Sequence, residues 1–170
     1  MMIIGIDVGK NGGIAIWMND KYNSIKMPET TADMYSYLSK CKDMAKSKNV
    51  SIRAYLELVH AMPNEGVKSA FSFGKNFGEL QGILTSLEIS FETVSPQKWM
   101  NVIGKPTYPT LNEHQKDDPE SEKKMKTKRK TLRKNYYKDK AQKLFPDTKV
   151  TLATADALLI MEYGRRLNVG

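Results

Sequence analysis

Cysteine and long apolar runs are scarce in this chain of 170 residues. Its one cysteine, Cys41, excludes a disulfide framework and a cysteine-rich zinc site, and it fits a reducing compartment. No run of 18 apolar residues is present, and the first residues lack the charged flank and small-residue cleavage site of a signal peptide. We therefore expect one soluble cytoplasmic domain, without a membrane partner, that is long enough to bury a core.

Acidic residues are scarce in one part of the chain, and that part carries all of the excess positive charge. Residues 98–143 contain 14 Lys and Arg against 6 Asp and Glu, an excess equal to the net charge of +8 of the whole chain. A local positive field of this kind suits a polyanion such as nucleic acid. A lysine-rich loop that meets only solvent is the alternative.

The first seventeen residues, MMIIGIDVGKNGGIAIW, predict a β-hairpin. An apolar run ends on Asp7, glycines and an asparagine at 9–13 turn the chain, and a second apolar run follows at 14–17. An acid on a strand beside a glycine turn can hold a metal ion close to a phosphate, because no side chain obstructs the backbone. A turn-capping aspartate is the alternative for this fragment alone.

Alternating helices and strands follow the hairpin. Strands are predicted at 21–27, 52–59 and 90–94, and helices at 31–48, 67–87, 125–145 and 155–167, with a short helix from Pro96. This order predicts an α/β fold with a mixed sheet covered by helices. Residues 104–124 are polar, contain three prolines and show no period, so we expect a flexible basic insertion there.

Three carboxylates stand at the ends of predicted elements. Glu57 lies in an apolar strand end, where an unpaired charge is costly, so it needs a cation, a metal or a proton; a paired structural glutamate is the alternative. Asp156 lies in a helical first turn, where the helix dipole alone favours it. If the first and fourth strands are parallel neighbours, Asp7 and Glu57 meet at one sheet end, and the last helix can add Asp156. Three oxygen ligands suit Mg²⁺ or Mn²⁺, and a basic surface beside them favours two-metal phosphodiester hydrolysis.

Three segments together carry a family resemblance. They are IGIDVGKNGGIAI, YLELVHAMPNEGVKSAFSFGKNFGELQGIL and ATADALLIMEYGRR. In this order and spacing they resemble the RuvC-type Holliday junction resolvases of the ribonuclease H-like superfamily, with the phage and poxvirus branch closest. The first segment alone is also typical of sugar kinases and actin-like ATPases, but those enzymes need two lobes around a nucleotide.

The resemblance implies a five-stranded mixed sheet with helices on both faces, in a homodimer that nicks four-way or branched DNA with Mg²⁺ or Mn²⁺, two ions per complete site. It places Asp7, Glu57 and Asp156 on acidic positions of the family. It places His60 where relatives carry an aromatic wedge; a loop histidine without a role is the alternative. A viral member of the family would act in the cytoplasm of its host.

Two features bear on how far the resemblance extends. Glycines 74, 78 and 82 share one helix face, which suits close packing on a sheet, a second subunit or DNA; in the family this helix lies at the dimer interface. The family's last motif carries a second acid or a histidine, and here that position is Ala153. Either this branch uses another ligand or residue 153 replaces a carboxylate, and we favour the replacement. A DNA-junction binding protein without catalysis is therefore the alternative function.

Basic and polar residues near these motifs are the candidate DNA contacts. They are Lys10, Asn11, His60, Lys75, Lys98, Lys105, Lys128, Arg129, Lys130, Arg133 and Lys134. Apart from His60, we expect them to contact phosphates, so they should set the affinity and its salt dependence more than the choice of sequence.

Overall fold

The fold is built on a five-stranded sheet, seen in a computed structural model that describes residues 1–58, 66–110 and 119–169. The strands are β1 (Met2–Asp7), β2 (Gly13–Met18), β3 (Lys21–Lys26), β4 (Ile52–Glu57) and β5 (Ser90–Val94). Their order is β3-β2-β1-β4-β5. β1, β2 and β3 pair antiparallel, whereas β4 is parallel to both β1 and β5. The predicted mixed sheet, with the first and fourth strands as parallel neighbours, is confirmed.

Glycines make the β1–β2 hairpin possible. Gly9 has a φ of 118°, a conformation that residues with a side chain rarely adopt. A Cβ on Gly12 would collide with the carbonyl group of Asp7, and Asp7 pairs in register with Gly13. The turn therefore closes tightly around the backbone of Asp7 and leaves its carboxylate at the end of the strand.

Helices cover both faces of the sheet, as predicted. They are α1 (Thr31–Ser47), α2 (Val67–Ser86), α3 (Pro96–Ile103), α4 (Pro119–Leu144) and α5 (Ala155–Val169). One core layer contains side chains of α1 and α2, and Cys41 is buried in it, among apolar residues of α1 that recur at three- and four-residue spacing. The other layer contains side chains of α3, α4 and α5.

Helix α5 lies very close to strand β1. A Cβ on Gly5 would collide with the backbone of Ala157 and Met161, so only glycine lets the helix lie this close. Further along α5, Gly164 lies against the ring of Tyr55. The helix therefore begins over the end of β1 that carries Asp7.

Some element boundaries differ from the sequence predictions: β3 ends at Lys26 and β4 at Glu57, and not at residues 27 and 59, and α4 begins earlier than expected. α3 extends to Ile103, where Gly104 with a φ of 106° ends it. α4 begins at Pro119, although the pattern predicted a start at residue 125, so the expectation of a segment without helical period is wrong for 119–124. Glu120 and Glu122 occupy its first turn, where the helix dipole stabilises negative charge. Glu120 forms an ion pair with Lys124, and Glu122 forms one with Lys126. Residues 111–118 of that segment lie outside the described residues.

Candidate active site

Asp7 and Glu57 lie at the same end of neighbouring parallel strands. Asp7 is the last residue of β1 and Glu57 the last of β4, and the residues before them, Ile6 and Leu56, pair directly. The two carboxyl groups are within hydrogen-bonding reach of each other. The topology thus brings together two acids that are remote along the chain.

Asp156 in the first turn of α5 completes the group of acids. Burial, and then the charges of Glu57 and Asp156, raise the pKa of Asp7 well above its usual value. Burial and the charge of Glu57 raise the pKa of Asp156 to about 6. A helix-capping carboxylate alone would not show such repulsion. The three acids therefore form one electrostatic cluster.

Residue 153 lies beside this cluster. Its carbonyl oxygen is 2.7 Å from where a Cβ on Gly13 would stand, and Gly13 is the register partner of Asp7. The side chain of Ala153 has no atom that can bind a metal. The position where the resemblance leads one to expect a further ligand is thus at the correct end of the sheet, without the side chain.

Trp99 is the residue of this region that the sequence pattern did not reveal. Its indole N–H donates a hydrogen bond of 2.9 Å to Oε1 of Glu57. Burial raises the pKa of Glu57, and the hydrogen bonds from Trp99 and with Asp7 and the charge of Arg133 offset part of that rise. The available signal was that a buried indole N–H and a buried carboxylate each require a partner.

An aromatic group on α4 supports Trp99. The ring of Tyr137 packs edge-on against Trp99, with 5.0 Å between ring centroids, and Tyr136 packs against Tyr137 at 5.2 Å. The Tyr137 hydroxyl is buried and has no hydrogen-bond partner among the described residues. Burial, with smaller contributions from neighbouring groups that include Asp156, raises its pKa to about 12. This hydroxyl therefore stays protonated beside the acids.

Two basic side chains of α4 act electrostatically on the acids. The charges of Arg133 and Lys134 lower the pKa of Asp156, Arg133 also lowers that of Glu57, and Lys134 that of Asp7. These effects do not overcome burial and mutual repulsion, because all three pKa values stay raised. Arg133 and Lys134, which are both exposed, thus lie near enough to the acid cluster for their charges to act on it.

The three carboxylates of Asp7, Glu57 and Asp156 are ligands of the type that a hard cation prefers. They are partly buried, and a divalent cation between them would relieve their repulsion. Within the described residues, however, no three His, Cys, Asp or Glu side chains stand close enough to form a metal centre as they are. The direct pair is Asp7 with Glu57, and Asp156 acts on them across a longer gap.

The remaining candidate DNA contacts are spread over several elements. Lys10 and Asn11 are exposed in the hairpin turn, and Lys105 is exposed after α3. Lys75 lies 3.7 Å from Glu79, and Lys98 lies 4.0 Å from Glu92; both lysines are largely exposed. His60 lies outside the described residues.

Along α4, the basic residues 128–130 differ in their contacts. Lys128 and Lys130 are exposed. Arg129 donates two hydrogen bonds, of 3.2 and 2.8 Å, to the carbonyl oxygen of Pro109. Its guanidinium thus holds the segment after α3 against α4, a structural contact that the charge pattern did not predict.

Two solved structures resemble the whole chain. RuvC from Thermus thermophilus in complex with a Holliday junction substrate is 10% identical, with 99% of this chain and 97% of that chain covered and a TM-score of 0.56. The fold is the RuvC-type, ribonuclease H-like fold. A second structure of Thermus thermophilus RuvC is 11% identical, with 98% and 96% covered and a TM-score of 0.50.

At the level of sequence, no protein-family model and no curated protein matches the chain. The RuvC-type likeness is therefore one of fold. None of the described helices is long and apolar enough to cross a membrane.

Proposed function

We propose that this chain is a structure-selective DNA endonuclease that cuts Holliday junctions and other branched DNA by metal-dependent phosphodiester hydrolysis. One observation carries the proposal: three carboxylates from β1, β4 and α5 converge at one sheet end, where burial raises the pKa of each and neighbouring carboxylates raise those of Asp7 and Asp156 further. Groups that burial and like charges perturb in this way are typical of functional sites. The RuvC-type fold and the quoted segments support this reading, and on those segments we place the chain nearest the phage and poxvirus branch, acting in the cytoplasm.

In this proposal Asp7, Glu57 and Asp156 bind Mg²⁺ or Mn²⁺. Two such ions, when bound, supply an activated water and stabilise the leaving oxygen. The three carboxylates would hold these ions at the sheet end, each from a rigid strand or helix. Arg133 and Lys134 provide positive charge where the scissile phosphate approaches the acids.

Ala153 distinguishes the endonuclease from the alternative, a junction-binding protein without catalysis. We expect the present chain to bind a synthetic four-way junction and to nick it slowly or not at all. Ala153→Asp restores a ligand at the sheet end and should nick the junction with Mg²⁺ or Mn²⁺, but not a linear duplex of the same sequence. Adding Asp7→Asn to this variant is the matched control and should abolish nicking. If Ala153→Asp binds the junction and stays inactive with each metal, the binding protein is the better description.

The exposed residues of the basic helix α4 are the proposed phosphate contacts. Replacing both Lys128 and Lys130 by Gln should weaken junction binding and make the slope of log K against log salt shallower by about 2, because each phosphate contact contributes about one unit. Arg129 is left in place, since it holds Pro109. Lys40→Gln with Lys46→Gln on α1, in the other layer, removes the same charge and should change the slope much less. Equal slopes in the two double variants would exclude α4 from the interface.

A homodimer through α2 belongs to the same proposal. A Cβ added at Gly74, Gly78 or Gly82 would meet nothing within 4 Å in the described part of the chain, so this face does not pack on the sheet. Val67 and Phe71 on the same helix are 87% and 73% exposed. An exposed apolar face with room for close backbone approach fits a second copy better than solvent. Sedimentation should give twice the chain mass, and Phe71→Lys should lower it, whereas Tyr35→Lys on α1 should not.

A further inference from the structure

Trp99 joins three elements that surround the acid cluster. It lies in α3, its indole N–H bonds to Glu57 of β4, and its ring packs on Tyr137 of α4. It is fully buried, and Ser95 and Pro96 begin its helix, with the Ser95 side chain accepting a hydrogen bond from the Lys98 backbone N–H. Such a side chain has little freedom to move, so the direction of its N–H is set by the fold.

The hydrogen bond fixes the orientation of the Glu57 carboxylate. A glutamate side chain has several rotatable bonds, and a free carboxylate at a strand end would sample many orientations. The indole occupies one lone-pair site of Oε1, and a carboxylate has about four such sites in all. The others stay available toward Asp7, which is within hydrogen-bonding reach.

The donor is also neutral, and this matters for a cation site. A lysine or arginine at the same place would fix the carboxylate and cancel its charge. An indole N–H orients the group and leaves the full negative charge for a ligand. By contrast, Glu162 on α5 is held by the guanidinium groups of Arg165 and Arg166, which leave no net negative charge there.

We propose that Trp99 is a positioning residue that holds Glu57 in the orientation in which it binds a divalent cation. The proposal rests on the proposed function only in requiring that the acid cluster binds such a cation. It assigns Trp99 no contact with DNA and no part in the chemical step. Tyr137 supports the indole ring from α4.

Binding of Mn²⁺, followed by the electron paramagnetic resonance signal of the free ion, tests the proposal without DNA. Trp99→Phe keeps an aromatic ring and loses the N–H, and we expect its Mn²⁺ affinity to fall about 10-fold or more, as is usual when a partner of a metal ligand is removed. Trp17→Phe is the matched control. Trp17 is buried in the same core layer and pairs with Ile3, away from the Asp7 end of β1, so its replacement should leave the affinity unchanged.

The indole N–H resonances give a second measurement that requires no Trp99 variant to fold. Trp17→Phe assigns the two signals, and the Trp99 resonance should shift on titration with Mg²⁺ in the unaltered chain. The same titration of Glu57→Gln should leave it in place. A Trp99 resonance that stays fixed at saturating Mg²⁺ would overturn the proposal.

The outcomes separate this inference from the proposed function. Mn²⁺ binding that is weakened by Trp99→Phe and not by Trp17→Phe supports both. Binding that is equal in the two variants overturns the role of Trp99 and leaves the metal site standing. Absence of Mn²⁺ binding to the unaltered chain overturns the metal site and, with it, the positioning role.

Discussion

Two acids of helix α5, Glu162 and Asp156, differ in how the fold treats their charge. Near the middle of the helix, Glu162 is 4% exposed and accepts hydrogen bonds from Arg165 and Arg166 at 2.7 to 3.0 Å. Burial raises its pKa, but these bonds outweigh burial, and the pKa lies below its usual value. At the start of the same helix, Asp156 lies with Asp7 and Glu57, and the pKa of each is raised.

This difference shows what Glu162 and the acid cluster each contribute to the stability of the folded chain. A carboxylate whose folded pKa is lowered stabilises the folded chain when it is ionised, and one whose folded pKa is raised destabilises it. The fold therefore gains from Glu162 and tolerates a cost at the acid cluster. Such a cost is typical of sites kept for binding or catalysis, where stability and activity conflict.

The largest expected change in stability comes from removing the charge of Glu162, which Arg165 and Arg166 neutralise. Glu162→Gln removes the charge that two guanidinium groups share, and we expect the free energy of unfolding to fall by about 2 kcal/mol. This lies below the usual 3–5 kcal/mol for a broken buried pair, because the side chains of Arg165 and Arg166 are 33% and 38% exposed and can be solvated. Urea unfolding at neutral pH measures it.

The surface pair of Glu88 with Lys42 is the matched control for that change. Its atoms are 3.1 Å apart, but the Glu88 side chain is 85% exposed. Glu88→Gln should therefore change the free energy of unfolding by no more than about 0.5 kcal/mol. Equal losses in the two variants would show that burial does not distinguish the pairs.

At the acid cluster, removing a charge is expected to raise the free energy of unfolding instead of lowering it. Asp7→Asn without divalent cations at pH 7 should raise the free energy of unfolding by about 1 kcal/mol, a gain typical of single stabilising substitutions, because it removes a buried charge that Glu57 and Asp156 repel. The amide can donate to Glu57 as a protonated carboxyl would, and it carries no charge to repel Asp156. Thermal unfolding measures the gain, and Asp139→Asn on the exposed side of α4 should show none. If Asp7→Asn lowers the free energy of unfolding instead, the ionised Asp7 carboxylate makes a stabilising interaction in the folded chain, which contradicts its raised pKa.

The smallest effect is the dependence of the Glu162 contribution on pH. Because the folded pKa of Glu162 is lowered, its stabilisation is fully present above the unfolded pKa of about 4.3 and is lost as pH falls through the folded value. The difference in unfolding free energy between the unaltered chain and Glu162→Gln should thus be constant from pH 7 to 6 and shrink toward pH 3. A difference that grows on acidification would mean that the folded pKa of Glu162 is raised and not lowered.

Local sequence patterns were sufficient for most of the fold. The glycine turn after Asp7, the periodic apolar positions of α1 around Cys41 and the order of elements all predict what the structure contains. These are properties of neighbouring residues, so they can be read along the chain. The early start of α4 at Pro119 was missed because ion pairs four residues apart, and no apolar stripe, support its first turns.

The candidate site was predictable only in part. The positions of Asp7, Glu57 and Asp156 at predicted strand and helix ends indicated these residues. The expected parallel pairing of the first and fourth strands predicted that Asp7 and Glu57 lie at the same sheet end. The contact of Trp99 with Glu57 joins residues 42 positions apart, and that of Arg129 with Pro109 joins residues 20 apart. No local period encodes either contact. The roles of the basic residues in binding DNA stay predictions.

By itself, the sequence determined the order of strands and helices, where the chain turns and where its positive charge lies, because these depend on nearest neighbours and on composition. Only the tertiary structure decided that one buried acid of α5 is neutralised and that another is left repelling its neighbours. It also decided that a neutral indole orients Glu57. The reason is physical: burial and the distances between remote groups set the pKa of a carboxyl, and neither exists before the chain has folded.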